Sequence, residues 1–279
     1  MNKHSLAFCI TALTAWAISA RAQTMTTPAP TPAPAPAAAA APAAPAPPSW
    51  SYTVTPTYVS QYMFRGQRLD GQSFEPSAEA DYGNWAIGVW SNFPLADKVP
   101  GQSDPEIDPY GSYTYSINDS WSLQPGFTWY TYARAPLDQG FYRMTFEPNL
   151  ALNYSVGAFK ISPKIYYDVV LKGPTYELNG AYTVPLKDIS SELDFAGTLG
   201  TYLLTDASNG AQPEVKAWGN YWLLGVSMPF TLSKSAKLTV GWSYTEGDGA
   251  YAKQGSFPKS VNTEAVGRGV ASVSLAWTF

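Results

Sequence analysis

Residues 265–279 read AVGRGVASVSLAWTF, ending on Phe279. Counting back from Phe279, the residues Trp277, Leu275, Val273 and Ala271 share one face. Thr278, Ala276, Ser274, Ser272 and Arg268 share the other. Successive side chains of a strand point to opposite faces, so this is one strand with an apolar side and a small, polar side. Its length, and the aromatics at one end of its apolar face, suit a barrel strand that spans a membrane better than a soluble hairpin.

The same pattern recurs upstream. From Trp50 onward no window holds a helical period. Runs of nine to fifteen alternating residues end in turn signals, at approximately 51–64, 73–82, 85–93, 106–116, 120–132, 141–154, 159–171, 175–186, 191–203, 216–230, 236–246 and 265–279. Gly83-Asn84, Ile117–Asp119, Val156–Ala158, Lys187–Ile189 and Ser233–Ser235 read as tight turns. The alternate connections, especially 94–105, 204–215 and 247–264, are longer. Short turns at one end, long loops at the other and an even strand count describe an all-β, antiparallel transmembrane barrel of about twelve strands. A soluble sandwich would alternate too, but it would bury its apolar face rather than decorate it with tyrosines. Prolines 56, 76, 109, 125, 148, 163, 185 and 229 fall inside the runs. Each removes a ladder donor, which predicts bulges or strand ends beside them.

The first 49 residues are different. Lys3, the apolar run Leu6–Ala20 and Ala20-Arg21-Ala22 form the n-region, h-region and cleavage site of a signal peptide over 1–22. Residues 23–49, almost wholly Thr, Pro and Ala, form an extended disordered linker. They read most simply as a solvated periplasmic tether, and alternatively as an arm that contacts the cell wall. The barrel takes 50–279.

Cleavage after Ala22 would remove Cys9 and His4, the only cysteine and the only histidine. It would also remove Lys3 and Arg21 but no acid, leaving fifteen bases against twenty-one acids, a net charge of −6. An acidic chain is a poor nucleic-acid ligand. Without histidine no Ser-His-Asp arrangement can form, so the chain reads as a non-enzyme. No phosphate loop, zinc spacing or EF-hand pattern is present, so no cofactor or metal is expected.

The outward positions are apolar with aromatic ends, as in Leu238/Val240/Trp242/Tyr244 and Trp222/Leu224/Val226/Met228/Phe230. Placing Tyr62 and Phe64 toward lipid turns Arg65 inward. Carrying the alternation round gives a pore lining of Arg65, Glu79, Asp81, Asp108, Arg143, Glu147, Lys164, Asp168, Glu177, Asp194 and Arg268, with Glu75, Glu106, Lys160, Glu192 and Lys237 on the same side. Charge on the lipid face costs about 2–4 kcal/mol at midplane, which explains the segregation. Glu147/Lys164 and Arg143/Asp168 have equal residue sums, which predicts two cross-strand ion pairs on one hairpin. Acids outnumber bases in this lining, so a conducting pore should weakly prefer cations. Large inward residues (Trp90, Tyr110, Tyr130, Tyr166, Tyr202 and Tyr221) leave a second reading open, a barrel with a plugged lumen.

Residues 58–66, Tyr-Val-Ser-Gln-Tyr-Met-Phe-Arg-Gly, together with Glu79–Tyr82, Gly88–Asn92, Glu106–Gly111 and Tyr130–Tyr132, resemble in order and spacing the TorF-type outer-membrane porin family of Gram-negative bacteria. The last strand also resembles the closing strand of bacterial outer-membrane barrels, which typically ends on an aromatic residue. The resemblance covers roughly 50–135 well. It implies an outer-membrane location with the linker and Phe279 in the periplasm, and passive diffusion of ions or small polar solutes. Its implied partners are outer-membrane lipid, lipopolysaccharide and the barrel assembly machinery, which would read Phe279 and Trp277.

Overall fold

A computed structural model of the chain describes residues 48–96, 105–134, 143–170, 172–205, 216–248 and 268–279. The signal-peptide and linker readings, and most of the three long loops, lie outside the described residues. In chain order the strands are β1 (Trp50–Thr55), β2 (Thr57–Val59), β3 (Tyr62–Phe64), β4 (Gln67–Asp70), β5 (Ser73–Phe74), β6 (Ser77–Tyr82), β7 (Trp85–Pro94), β8 (Glu106–Tyr113), β9 (Tyr115–Ser116), β10 (Trp121–Thr131), β11 (Met144–Val156), β12 (Phe159–Asp168), β13 (Gly173–Leu186), β14 (Ser191–Thr205), β15 (Lys216–Thr231), β16 (Ala236–Asp248) and β17 (Arg268–Thr278).

Three pairs of these are single wall strands with an interruption: β1 with β2, β5 with β6, and β8 with β9. The wall therefore has twelve antiparallel strands, each beside its sequence neighbours, and it closes where β17 pairs β1 and β2. Val54 faces Trp277 and Val59 faces Ser272 across that seam. Closure leaves no edge strand, which is what a membrane-embedded sheet requires.

At one end, the turn end, the connections are short. Gly83 (φ 60°) and Gly157 (φ 56°) each open a two-residue hairpin, a position where a side chain would be strained. The outer face carries the expected rings at both ends. Trp50, Tyr82, Trp85, Tyr113 and Trp121 circle the turn end, with Trp50/Tyr82 and Trp85/Tyr113 in ring contact at 5.0 and 4.7 Å. Tyr58, Phe74, Trp129, Tyr167, Tyr176 and Trp218 lie outward nearer the loop end. Between them Val54, Ile87, Leu150, Ile165, Leu224, Val240 and Val273 point outward.

Two expectations are corrected. The first strand does not run to Phe64: it leaves the wall after Val59. Tyr62, Met63 and Phe64 are consecutive apolar residues, and no wall strand could bury all three. Folding them inward does, and β3 with β4 forms a separate two-stranded hairpin inside the barrel. The prolines make no bulges, although two of the expected strand ends are present, at Pro56 between β1 and β2 and at Pro76 between β5 and β6. β10 and β11 keep one register from Trp121↔Tyr154 to Thr131↔Met144 through Pro125 and Pro148, and β15 and β16 do so through Pro229. Proline deletes a ladder bond without adding a residue. The register is therefore kept while rungs are missing, as at Leu152/Pro163 and Asn153/Ser162 between β11 and β12. The one register shift found among the described residues lies between Tyr62 and Met63, away from any proline.

Candidate functional site

The site is the lumen, and the hairpin divides it. β3 and β4 join through Arg65 (φ 44°) and Gly66 (φ 75°), the two positive angles of a tight hairpin turn. Arg65 tolerates this conformation because both its neighbours and its guanidinium are held. A Cβ on Gly66 would lie 2.5 Å from the Gly247 backbone of β16, so the tip touches the wall there and only glycine fits. At the base, Met63 packs with Val59 and Val270.

The base and the tip of the hairpin are tied to different parts of the wall. The Tyr62 hydroxyl donates to Glu106 Oε2 of β8 at 3.1 Å, and its ring lies 5.5 Å from that of Trp90. The Asn92 amide of β7 donates to Asp70 at 2.9 Å. On the opposite side Gln67 donates to the Tyr202 hydroxyl of β14 at 2.7 Å. Arg65 Nη2 donates to both oxygens of Glu147 on β11, at 3.0 and 3.1 Å, in a pair whose side chains are 5% and 0% exposed. Its guanidinium also lies over the rings of Phe64 and Tyr166, at 4.6 and 5.2 Å. Tyr130 adds a third hydrogen bond to Glu147 at 2.9 Å. Further hydrogen bonds and ring contacts of this kind help to make a buried ion pair tolerable.

The turn-end half has no such inner layer. Besides Glu79, Asp81 and Asp194, many of its inward residues are short and neutral, and these bond to one another around the wall. Gln124 donates to Ser112 at 3.2 Å, Ser162 to Asn153 at 2.6 Å and Thr198 to Asn179 at 2.8 Å. Most of these positions are only half-buried, so solvent reaches them.

The expected pore residues distribute as follows. Glu79 accepts from Tyr110 at 2.9 Å, Asp194 from Thr183 at 2.7 Å, and Glu177 from Tyr166 at 2.7 Å and also from Tyr221. Asp108 is buried opposite Trp90 and accepts the Thr131 N–H at 3.1 Å. Asp168 is buried and accepts the Thr145 hydroxyl at 2.6 Å. Asp81 is half-buried opposite Ala86, Lys164 lies 4.6 Å from the Tyr166 ring centroid, and Arg268 begins β17 opposite Thr245.

Four placements differ from expectation. Tyr62 and Phe64 do not face lipid but lie buried in the lumen, and Arg65 is not on the wall but at the hairpin tip. Arg143 is exposed and lies just ahead of β11 rather than within a wall strand. The two expected ion pairs also fail. β11 and β12 pair Ala151 with Lys164 and Asn149 with Tyr166, a register four residues away from the expected one, set by the two-residue turn at Gly157-Ala158. Glu147 instead takes Arg65 from the hairpin. Pattern reading missed Gln67, Asp70, Asn92 and the Gly66/Gly247 contact. The signal that could have found them is the failed alternation at 62–64 followed at once by Arg65-Gly66 and then Gly71.

Trp277 and Phe279 are exposed on the lipid side of the closing seam. Phe279 exchanges main-chain hydrogen bonds with Tyr52, its N–H donating to Tyr52 O at 2.8 Å and its carbonyl accepting from Tyr52 N at 3.2 Å.

A closed sheet with an apolar, aromatic-ringed exterior and a polar interior defines a transmembrane β-barrel with an inward-folded hairpin. No family model and no curated protein sequence matches the chain. Among solved structures it is similar to the KdgM porin, 14% identical with a TM-score of 0.49 over 81% of this chain and 99% of that one. It is also similar to an outer membrane channel from Pseudomonas putida F1, 10% identical with a TM-score of 0.39 over 85% of this chain and 97% of that one. Overlaps this low carry no argument about this chain, whose barrel rests on its own strand pairing.

Proposed function

We propose that the chain is an outer-membrane, porin-like channel through which ions or small polar solutes diffuse, with a bore narrowed by the β3–β4 hairpin. The observation that carries this is the lumen: polar and wet at the turn end, and crossed by a wall-to-wall hairpin toward the loop end. The wall from β5 to β10 carries Glu75, Glu79, Asp81, Glu106 and Asp108 and no base within its strands, which supports a weak preference for cations. Planar-bilayer recordings of the purified protein test this. Steady unitary steps with a reversal potential favouring cations support the reading, and anion selectivity sinks the charge preference.

One observation favours a second reading, in which the hairpin closes the lumen and the barrel has a structural or interaction role. Tyr62, Leu69 and Asp70 are 2%, 0% and 0% exposed. The absence of unitary steps from a folded, heat-modifiable barrel would select it. In either case the expected surroundings are outer-membrane lipid and lipopolysaccharide, with the N-terminal linker and Phe279 on the periplasmic side. Phe279 and Trp277 are the residues we assign to recognition by the assembly machinery. Removing Phe279 should lower the amount of assembled barrel, and unchanged assembly counts against that role. We assign no catalytic residue.

A further inference from the structure

One inward tyrosine of β15 stands between two glycines. On a single rung across β13 to β16 lie Glu177, Gly200, Tyr221 and Gly247, each the direct partner of the next. Neighbouring strands are about 4.8 Å apart, so the ring of Tyr221 can cover one glycine or the other but not both. It leans over Gly200. A Cβ built on Gly200 would collide with the ring, and all three atoms nearest that Cβ belong to Tyr221. The Tyr221 hydroxyl donates to Glu177 on the strand beyond, and Tyr166 donates to the same carboxylate at 2.7 Å. Neither Gly200 nor Gly247 has a positive φ, so both are glycine for room and not for backbone conformation.

The lean leaves Gly247 bare, and the hairpin tip takes the space. A Cβ on Gly247 would lie 3.1 Å from Arg65 O, Gly66 Cα and Gly66 O. Tyr221 is only 7% exposed, with the wall behind it and the tip beside it. A ring pushed off Gly200 would therefore swing toward Gly247 and into the tip. Tyr202, two residues further along β14, repeats the arrangement in the opposite direction. It leans over Gly219 of β15, where a Cβ would lie 2.5 Å from its Cζ, and its hydroxyl accepts the Gln67 amide of the hairpin. On the opposite side of the ring of strands, Glu79, Gly88 and Tyr110 form the same succession of partners, with Tyr110 over Gly88 and donating to Glu79 at 2.9 Å. The leaning tyrosine is thus a repeated construction of this wall, and at Tyr221 it borders the hairpin tip.

We propose that Tyr221, held over Gly200 by Glu177, is the positioning residue that keeps the hairpin tip seated on Gly247 and Arg65 on Glu147. Its bearing on the bore rests on the channel reading; the seat itself is read on Arg65 and does not require the barrel to conduct.

The test is the reactivity of Arg65 toward phenylglyoxal in the purified, folded protein, read by peptide mass spectrometry with the exposed Arg143 as internal reference. In the wild-type barrel Arg65 should react far more slowly than Arg143. Gly200→Ala displaces the ring and should speed the Arg65 reaction by about tenfold or more, the scale on which one overpacked carbon shifts a local opening. Gly200→Ala/Tyr221→Leu removes the ring and should return Arg65 to near the wild-type rate. Gly225→Ala, on the same strand as Tyr221 but 3.4 Å from its nearest neighbour, Ser243 Cβ, should leave the rate unchanged. If Gly200→Ala yields no heat-modifiable barrel, the double variant decides: recovery of folding supports the role of the ring, and no recovery overturns it. Continued protection of Arg65 in a folded Gly200→Ala barrel overturns the proposal. So does a double variant as reactive as the single one, which would place the strain in the backbone. Recordings without unitary steps would remove the bore and leave the seat standing.

Discussion

The two halves of the lumen are built on the same twelve strands with the same inward alternation, yet they differ in kind. Toward the loop end, inward residues are large or charged, and the hairpin buries them. Glu147, Asp168, Tyr130 and Tyr202 are all 2% exposed or less. Toward the turn end, inward positions include Asn153, Ser162, Asn179 and Thr198, of which Asn153 and Thr198 remain in contact with solvent. The wall alone does not decide what an inward polar residue does. Its role is set by whether a second layer lies against it, and residues 61–71, folded back from the first connection, supply that layer to one half only.

The sharpest way to break the contrast is to remove the layer. Replacing residues 61–71 by a short Gly-Ser connection should make both halves wet and raise single-channel conductance several-fold, roughly as the cross-section the hairpin occupies is freed. Unchanged conductance would mean that the constriction lies elsewhere. A smaller effect, in stability, is expected from Glu147→Ala, which strands Arg65 inside the lumen. Losing one partner of a buried pair costs about 3–5 kcal/mol in urea unfolding, while the double change Arg65→Met/Glu147→Leu should recover most of it. Gly66→Ala should cost about 2 kcal/mol, from the positive φ and the contact with the Gly247 backbone. Least of all, Asn153→Ala in the wet half should cost under about 1 kcal/mol, because water replaces the lost hydrogen bonds. If Asn153→Ala proved as costly as Glu147→Ala, the two halves would not differ as described.

The wall was legible because its signal is repeated and local. Alternation of period two, turn residues and the exclusion of charge from one face all act within a strand, and they survive twelve times over from Trp50 to Phe279. The hairpin was not legible because its partners are distant. Arg65 and Glu147 are 82 residues apart, and Gln67 and Tyr202 135 apart, and nothing in either local sequence names the other. Residues 58–66 looked like ordinary strand because Tyr62 and Phe64 continue the alternation, and only Met63 between them breaks it. The ion-pair prediction failed for a smaller reason. It fixed residue sums without fixing the turn, and Gly157-Ala158 being the whole turn moves every rung of that hairpin.

The closing seam has a consequence for how the molecule comes into being. Thr53 and Thr278, joined by a 3.0 Å hydrogen bond, are 225 residues apart, while every other pair of wall neighbours adjoins in sequence. Contacts between distant segments wait for the chain between them, so the ends meet last. The hairpin is carried on the very strand that makes this final contact, and its base already leans on β17 through Met63 and Val270. Sealing the ring and seating its contents are therefore one event in time: an incompletely threaded hairpin would hold the ring ajar, and a sealed ring would lock out a late one.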